Sequence, residues 1–211
     1  MTLKKVFVIR HAESEEDVDP TIHNLLQDDE IGLTELGKRQ IVGTMPMLGP
    51  IINQDNLLVC LSSSKRAADT YDILSSGANR CAHQVVIEKR IRNLNWGDIT
   101  LENRAQIESE RYASGVLYYK FPGGDDSAVY VKGICDAMSE LLIDCNLPSF
   151  PEYVLVITHG FALRVIVKAL TNISDQDFRW LANPSNCFIA EIEFINEEFV
   201  CRTEMPIYKQ K

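Results

Sequence analysis

The sequence predicts an α/β fold with three layers, in which helices cover both faces of a mostly parallel sheet. Short apolar segments alternate with longer segments whose apolar residues have helical spacing, and this alternation is typical of parallel sheets. The chain has 211 residues, of which 45% are hydrophobic, so disorder of the whole chain is excluded. We expect residues 1–211 to form a single domain.

Five segments are predicted to be strands. Four of them are apolar, rich in β-branched residues or leucine, and not alternating, as expected for strands covered on both faces: residues 6–9, 57–61, 85–87 and 154–157. The fifth, residues 188–194, alternates in polarity through Glu191 and Glu193. It is therefore predicted to have one face in water and to lie near an edge of the sheet.

Helical segments lie between these strands. The first begins at Thr34, a capping residue, and Pro46 is expected to limit its length. Further helices are predicted from apolar spacing and capping residues at 62–77, 134–145, 161–170 and 174–180. Residues 98–127 interrupt the alternation, being first polar, then aromatic, then rich in turn residues. We expect this stretch to be an excursion over the active-site end of the sheet.

Charge and composition exclude several classes of function. The formal net charge is −9 and no basic stripe is visible, which argues against nucleic acid as a partner. No apolar run approaches the roughly 18–20 residues that cross a bilayer, and no secretory segment is apparent, so we expect no membrane association. The six cysteines are scattered without a C-x-x-C pair, which predicts free thiols and a cytoplasmic location.

Candidate functional residues follow the predicted strands. His11 comes directly after the strand at 6–9 and Arg10, and His159 follows the strand at 154–157 by one residue. Open α/β sheets bind their ligands at the carboxyl ends of the strands, so the two histidines are expected to share a site. Arg66 begins the helix that follows a third strand. Guanidinium groups and a helix N-terminus together suit phosphate oxygens.

A metal site is a second interpretation of the same residues. His11, Glu13 and His159 could hold a cation, but the neighbouring arginines disfavour one. We therefore expect neither a metal nor a cofactor. His23 and His83 have no partners in the sequence and are expected to lie on the surface or in loops.

Several ordered motifs resemble those of the histidine phosphatase superfamily, the phosphoglycerate mutase-like proteins. Residues 10–14 resemble its R-H-G-E-S opening, and residues 33–40 its L-T-x-x-G-x-x-Q segment. Residues 62–70 resemble its S-x-x-x-R-A-x-x-T helix start, and residues 156–160 its second-histidine strand. Three shorter segments resemble a phosphatase-type branch: residues 95–97, 121–124 and 183–187.

The resemblance implies a phosphoglycerate mutase-like fold and a phosphohistidine mechanism without a metal. His11 would attack the phosphoryl group of a small phosphorylated substrate, and water would then release phosphate. The catalytic residues that the resemblance implies are His11, Arg10, Arg66 and His159. The substrate-binding residues that it implies are Arg10, Arg66, Asp17, Asn93 and Gly160. Glu13 is expected to fix the loop of His11.

Four positions depart from the family pattern. Ala12 replaces the glycine after the nucleophile, and Asp17 replaces an asparagine that contacts phosphate. Asn93 stands where the family has the glutamate that protonates the leaving group, and loss of such an acid typically costs about 10²–10⁴ in rate. Asp125 stands where the family has a glutamate and is a possible proton donor. Asp17 or Asp126 are alternatives, or the enzyme is slow unless the leaving group needs no acid.

The leading prediction is a phosphate monoester hydrolase that acts through phospho-His11. The alternative is a degenerate, weakly active family member that binds phosphorylated ligands or a protein partner. A phosphoglycerate mutase is less favoured, because acid–base chemistry on a sugar-acid hydroxyl needs the missing glutamate. The sequence specifies neither the natural substrate nor the oligomeric state.

Overall fold

A six-stranded sheet lies at the centre of the molecule. The computed structural model describes residues 3–77, 84–100 and 102–208. The strands are β1 (Lys5–Arg10), β2 (Leu57–Ser62), β3 (Gln84–Glu88), β4 (Tyr153–Thr158), β5 (Ile189–Ile195) and β6 (Glu198–Cys201). Their order is β3-β2-β4-β1-β5-β6; the first four are parallel, and β5 and β6 run antiparallel to their neighbours. The predicted, mostly parallel sheet is confirmed.

Helices cover both faces of this sheet. They are α1 (Glu15–Val18), α2 (Glu35–Ile52), α3 (Lys65–Ser76), α4 (Arg104–Ser114), α5 (Ser127–Leu141), α6 (Gly160–Thr171) and α7 (Asp175–Phe178). Alternate residues of β1 enter different cores: Val6 and Val8 pack in the cluster that contains α5 and α6, whereas Phe7 and Ile9 pack with α2 and α3. The strand is therefore covered on both faces, as its unbroken apolar run predicts.

Helix α2 is longer than predicted, because Pro46 does not end it. The helix continues to Ile52 with Pro46 and Pro50 inside it. Both prolines lie on the exposed side, where carbonyl groups that lose their intrahelical partner can bond to water. Leu48 and Ile52 are buried on the opposite side, and this packing outweighs the local cost of the prolines.

Strand β3 is an edge strand, so the prediction of a fully covered strand at 85–87 was wrong. Among the residues that the structure describes, its only strand neighbour is β2, and Val85 and Ile87 are 44% and 65% exposed. A run of three apolar residues is too short to distinguish an edge strand from a central one. Strand β6, which completes the opposite edge, was not predicted.

Helix α5 also ends earlier than the apolar spacing predicts. It stops at Leu141, and the buried Cys145 lies in the turns beyond it.

Within residues 98–127, helix α4 is followed by turns that pack Leu117 and Phe121 into the larger core. Gly97 and Pro122 join the two ends of this stretch, since a Cβ on Gly97 (φ +65°) would lie 2.0 Å from the Pro122 carbonyl oxygen.

None of the helices within the described ranges combines the length and apolar composition that crossing a bilayer requires.

Candidate active site

The two predicted histidines meet at the carboxyl ends of neighbouring strands. β4 lies between β1 and β2, so His159 follows the central strand and His11 follows the strand beside it. The backbone N–H of His11 donates to the carbonyl oxygen of Thr158 over 2.8 Å. The two imidazole rings lie edge to face with their centroids 5.0 Å apart. The topology thus brings together residues that are 148 positions apart in the chain.

His11 is held in one tautomer. Its ring is buried, and Nδ1 lies 2.7 Å from the carbonyl oxygen of Ala12. A carbonyl can only accept, so Nδ1 carries the proton and Nε2 keeps its lone pair. Burial, followed by the positive charge of Arg66, lowers the pKa of His11 to about 3. The side chain is therefore a neutral imidazole at pH 7, which is the form that a nucleophile requires.

Ala12 fits the loop without left-handed backbone strain. In the part of the chain that the structure describes, positive φ values at non-glycine residues occur at Asn172, Cys187, Asn196 and Glu197, not at Ala12. The methyl group of Ala12 is fully buried. The departure from glycine at this position therefore leaves the nucleophile loop in an ordinary conformation.

Glu13 secures this loop to the start of helix α2. Its Oε1 accepts from the Thr34 hydroxyl over 2.7 Å, and its backbone N–H donates to Oε1 of Gln40 over 2.9 Å. Gly37 is needed at the crossing, because a Cβ there would lie 2.1 Å from the Glu13 carbonyl oxygen. These contacts explain the spacing of threonine, glycine and glutamine in residues 34–40.

His159 is neutral and has one nitrogen free for a ligand. Its Nε2 lies 2.9 Å from the Ser62 hydroxyl and 3.3 Å from the Ser64 hydroxyl. Burial, then the charge of Arg66, lowers the pKa of His159 well below its ordinary value. Nδ1 is buried, and within the described residues it has no hydrogen-bond partner.

Gly160 allows Asn183 to approach the start of helix α6. A Cβ at Gly160 would lie 2.1 Å from Oδ1 of Asn183, so only glycine fits here. This close approach places the segment around 183–187 against the histidine that precedes the helix. Cys187 follows in a left-handed conformation (φ +58°), and its N–H donates to the carbonyl oxygen of Arg10 over 3.1 Å.

Two arginines flank the histidines, and each is paired with a carboxylate. Nη2 of Arg10 lies 2.7 Å from Asp17. Arg66 is fully buried; its Nη2 lies 2.8 Å from Oδ1 of Asp28 and 3.4 Å from Glu16. The Nε atoms of both arginines are nevertheless buried without a partner within the described part of the chain. Both arginines lie close enough to the two histidines to lower their pKa values, and buried donors without a partner in such a place are suited to bind an anion.

Asp17 is turned onto Arg10. It accepts from the N–H and hydroxyl of Ser14, both over 2.9 Å, and from Nδ2 of Asn186 over 3.0 Å. Burial of this carboxyl favours its neutral form, but the Ser14 amide and the Arg10 charge outweigh that effect and lower its pKa. Asp17 is therefore a carboxylate that neutralises Arg10.

Asp125 lies in a second ion pair. Its two oxygens accept from Arg92 over 2.7 and 2.8 Å, and one of them accepts from the N–H of Asn95 over 2.7 Å. Burial acts to raise the pKa of this carboxyl, but the hydrogen bonds from Arg92 and Asn95 lower it by more. The pKa of Asp125 is therefore below its ordinary value. The geometry therefore disfavours Asp125 as a proton donor at neutral pH.

Asp28 is the main residue of the pocket that the sequence did not indicate. Its Oδ1 lies 3.3 Å from Nδ2 of Asn93, the residue predicted from the sequence to replace an acidic glutamate. Asp28 lies in a loop between a 3₁₀ turn, Pro20–Asn24, and helix α2. No periodicity or motif relates it to Arg66, which is 38 positions away.

One cluster could hold a cation in principle. Ligand atoms of Glu16, His23 and Asp28 lie within 4.8 Å of one another. His23 is exposed, as expected, and its Nε2 lies 3.2 Å from Glu16. Both carboxylates of this cluster face the guanidinium of Arg66, whose charge works against a cation. His83 lies outside the residues that the structure describes.

Comparison with solved structures supports the fold. An alpha-ribazole phosphatase from Shigella flexneri aligns over 98% of this chain and 100% of its own, with a TM-score of 0.71 and 16% identity. A mycobacterial glucosyl-3-phosphoglycerate phosphatase in complex with VO₃ aligns over 98% of this chain and 100% of its own, with a TM-score of 0.71 and 19% identity. At these identities the likeness establishes the architecture alone.

Sequence comparison identifies the family. Two Arabidopsis thaliana proteins, phosphoglycerate mutase-like proteins AT74 and AT74H, are 25% and 24% identical over 204 residues, which are 90% and 89% of this chain. The alignment spans 65% of AT74 and 73% of AT74H, so this chain is shorter than both. The sequence profile of the histidine phosphatase superfamily, branch 1, matches residues 6–204. The chain therefore belongs to the histidine phosphatase superfamily.

Proposed function

We propose that the protein is a phosphatase that hydrolyses a small phosphate monoester through a phosphohistidine at Nε2 of His11. The state of His11 is the observation that carries this proposal. Its imidazole is neutral, Nδ1 donates to Ala12, and the unprotonated Nε2 belongs to a pocket of unsatisfied cationic donors. A buried histidine with no chemical role would require neither a fixed tautomer nor unpaired arginine donors beside it.

The first chemical step transfers the phosphoryl group. A bond forms between Nε2 of His11 and phosphorus while the bond from phosphorus to the ester oxygen breaks, and that oxygen takes a proton. Arg10, Arg66 and Nδ1 of His159 surround the pocket and would stabilise the negative charge on the phosphoryl oxygens. Water then attacks phosphorus, and His11 departs as the leaving group. Every group assigned to these steps is an amino-acid side chain, so the proposed route requires no cofactor.

Substrate binding must displace carboxylates from the arginines. Asp17 on Arg10 and Asp28 on Arg66 stand in for the oxygens of a phosphate when no ligand is bound. A phosphoryl dianion offers three oxygens and greater charge, and it can use the Nε donors that the carboxylates leave unsatisfied. Asn93, which lies beside Asp28, and Gly160, which directly follows His159, are proposed as further substrate contacts.

Names of relatives support the substrate class. The two phosphatases of similar fold, one for alpha-ribazole phosphate and one for glucosyl-3-phosphoglycerate, act by name on small phosphorylated molecules. We extend only this class to the present chain.

Cytoplasmic location stays a prediction. The five cysteines that the structure describes are free, which fits a reducing compartment.

A binding protein with little turnover is the second candidate. The observation that favours it is the pairing of both arginines with carboxylates, which weakens the attraction of the pocket for phosphate. In that case His11→Ala would leave the biological activity unchanged, while Arg66→Ala would abolish ligand affinity.

Hydrolysis of p-nitrophenyl phosphate tests the proposal. Turnover is measured from pH 4 to 8 with a chelator present, in the wild type and in His11→Ala. We expect steady release of nitrophenolate that is lost in the variant by a factor of at least about 10³. Equal rates in both proteins would contradict a nucleophilic role for His11, and absence of turnover in both would favour the binding protein.

A further inference from the structure

We propose that Asp28 donates the proton to the leaving group, in place of the glutamate that Asn93 has replaced. This inference rests on the proposed hydrolysis and names a residue for its unassigned step. The Asp28 carboxyl lies between Asn93, which replaces the missing acid, and the guanidinium of Arg66, which would bind the phosphoryl oxygens.

Two contacts define that position. Oδ1 of Asp28 lies 3.3 Å from Nδ2 of Asn93 and 2.8 Å from Nη2 of Arg66. A carboxyl on a side chain longer than asparagine, at position 93, would extend toward the space that Asp28 now occupies. Asp28 thus brings a carboxyl from a different loop to the side of the pocket from which the family's glutamate has been lost.

Exposure places Asp28 on the side where a leaving group departs. The side chain of Asp28 is 39% exposed, whereas His11 is only 4% exposed at the base of the pocket. In-line transfer requires the leaving oxygen to lie opposite the attacking nitrogen, which here is the solvent side. Asp28 can therefore approach the leaving oxygen without entering the space of the nucleophile.

The other carboxyl groups near the site have structural partners that hold them elsewhere. Asp17 caps helix α1 and pairs with Arg10, and Asp125 pairs with Arg92 through both oxygens. Asp126 caps helix α5 by accepting from the N–H of Ala128 over 2.9 Å. Glu13 binds Thr34 in the nucleophile loop. Asp17, which substrate would also displace from Arg10, stays bound to Ser14 and Asn186, whereas Asp28 lies against the side chain of Asn93.

Substrate binding supplies the proton that Asp28 needs. Without substrate, Asp28 is a carboxylate paired with Arg66. When phosphoryl oxygens take over Arg66, the carboxylate loses its cation and faces a second anion. Two adjacent anionic groups hold a proton between them, so the monoanionic form of the ester delivers its proton to this pair.

The proton then follows the bonds. As the bond between His11 Nε2 and phosphorus forms, the bond to the ester oxygen breaks and Asp28 transfers the proton to that oxygen, releasing an alcohol. In the second step Asp28 takes a proton from the attacking water, and His11 leaves phosphorus. The product phosphate leaves with the proton that Asp28 took from water, so Asp28 is again a carboxylate and His11 again a neutral imidazole. Ester and water are consumed, and alcohol and phosphate are produced.

Several charged or titratable groups face Asp28. They come from α1, the 3₁₀ turn at 20–24, α3, the segment after β3, and α5: Glu16, His23, Arg66, Arg92 and Tyr130. The pH profile of Asp28→Asn is therefore compared with that of the wild type, in which all of these groups are also present.

The decisive experiment compares leaving groups in Asp28→Asn. kcat/KM is measured for p-nitrophenyl phosphate, whose leaving group needs no acid, and for a simple alkyl phosphate, whose leaving group does. We expect Asp28→Asn to lower the alkyl rate about 10²–10⁴-fold and the p-nitrophenyl rate less than about tenfold, with loss of the high-pH limb for the alkyl substrate. An equal loss on both substrates would overturn the proposal.

Four further variants separate a chemical role of Asp28 from a structural one. Glu16→Gln removes another carboxylate that faces Arg66 within 3.4 Å, so it should preserve the ratio of the two rates. Asp28→Glu should retain most of the alkyl rate, and adding Asn93→Glu to Asp28→Asn should restore it. The proposal is overturned if Glu16→Gln or Asp125→Asn shows the leaving-group selectivity instead.

Failure of the inference can be told from failure of the proposed function. Phosphohistidine formation from p-nitrophenyl phosphate depends on His11 and should persist in Asp28→Asn. A phosphoenzyme with no leaving-group selectivity in Asp28→Asn overturns only the role of Asp28. Absence of a phosphoenzyme in the wild type overturns both.

Discussion

The two histidines of the site stay uncharged beside two arginines, and this has a consequence for stability. An unfolded chain binds a proton at each histidine below a pH of about 6.5, whereas the folded chain does not, because burial and Arg66 lower both pKa values. The unfolded state therefore binds more protons between the lowered pKa values and 6.5. By linkage, the free energy of unfolding must rise with pH through this window.

Replacement of His11 by asparagine should remove part of this pH dependence. With the pKa of His11 at about 3, lowering the pH from 7 to 5 costs the wild type up to about 2 kcal/mol through this residue alone. Urea denaturation at pH 7 and pH 5 measures the difference in both proteins. His11→Asn should lose less stability than the wild type over this interval; an identical loss would show that His11 is protonated in the folded state.

Some residues of the site could be identified from the sequence, and others could not. His11, Arg10 and His159 could be found because they directly follow strands, and the carboxyl ends of parallel strands meet by topology. Asp28 could not be found, since its contact with Arg66 depends on the path of a loop without repeat or motif. Asp17 was identified by its position, but its orientation onto Arg10 follows from the turn of α1.

At the scale of elements, helix α6 and the segment around Asn183 form one unit. The helix begins at Gly160 directly after His159, and the amide of Asn183 fills the space that a larger residue would need. Position 160 therefore couples the orientation of His159 to the segment that carries Asn186. The motif of glycine after the second histidine is explained by this close packing.

A pair of substitutions tests this coupling. Gly160→Ala should destabilise the protein by about 1–3 kcal/mol, because its Cβ would meet Oδ1 of Asn183 at 2.1 Å. Adding Asn183→Ala should relieve the clash, and the helix propensity of alanine should then make the double variant as stable as Asn183→Ala alone. Thermal denaturation of the three variants measures both effects.

Gly37→Ala is the matched control, because its clash is with the backbone carbonyl of Glu13, at 2.1 Å, and no side-chain deletion can relieve it. Additive effects of Gly160→Ala and Asn183→Ala would contradict the coupling.

Elements were predicted best where packing agrees with local propensity. Helix α3 runs from Lys65 to Ser76, close to the predicted 62–77, although the Ser64 side chain makes no capping hydrogen bond and Gly77 keeps a right-handed conformation (φ −83°). The end of α2 was missed because the rule that proline stops helices is local, whereas the burial of Leu48 and Ile52 is tertiary. The exposure of β3 was missed for the same reason, since edge position depends on strand order.

For the whole molecule, the site places two arginines beside two neutral histidines in a chain of net charge −9. Arg10 and Arg66 retain unsatisfied donors even though carboxylates partly neutralise them. An anion with more oxygens than a carboxylate can satisfy these donors, so it should stabilise the folded protein.

Inorganic phosphate should therefore raise the Tm. A concentration one hundred times the Kd stabilises by about 2.7 kcal/mol, and the shift should follow the phosphate concentration. The same titration with chloride at equal ionic strength controls for screening. Arg66→Ala, which removes the fully buried guanidinium, should abolish most of the shift. A shift of equal size in wild type and Arg66→Ala would place the phosphate elsewhere.

The fold could be predicted from the sequence in more detail than the pocket could. Alternating strands and helices specify a parallel sheet with covered faces, and both covered faces are observed. The pairing of carboxylates with Arg10 and Arg66 arises from loops that meet only when the sheet is complete. Loop conformation carries no periodic signal, so the electrostatic state of the pocket required the structure.

Trapping the covalent intermediate tests the central claim most directly. The protein is mixed with p-nitrophenyl phosphate, denatured in alkali, where phosphohistidine is stable, and digested for mass spectrometry. We expect the mass of one phosphoryl group on the peptide that contains His11 and none in His11→Ala, with the label lost after treatment with acid. A label on another residue, or turnover by the wild type without any labelled peptide, would contradict the phosphohistidine mechanism.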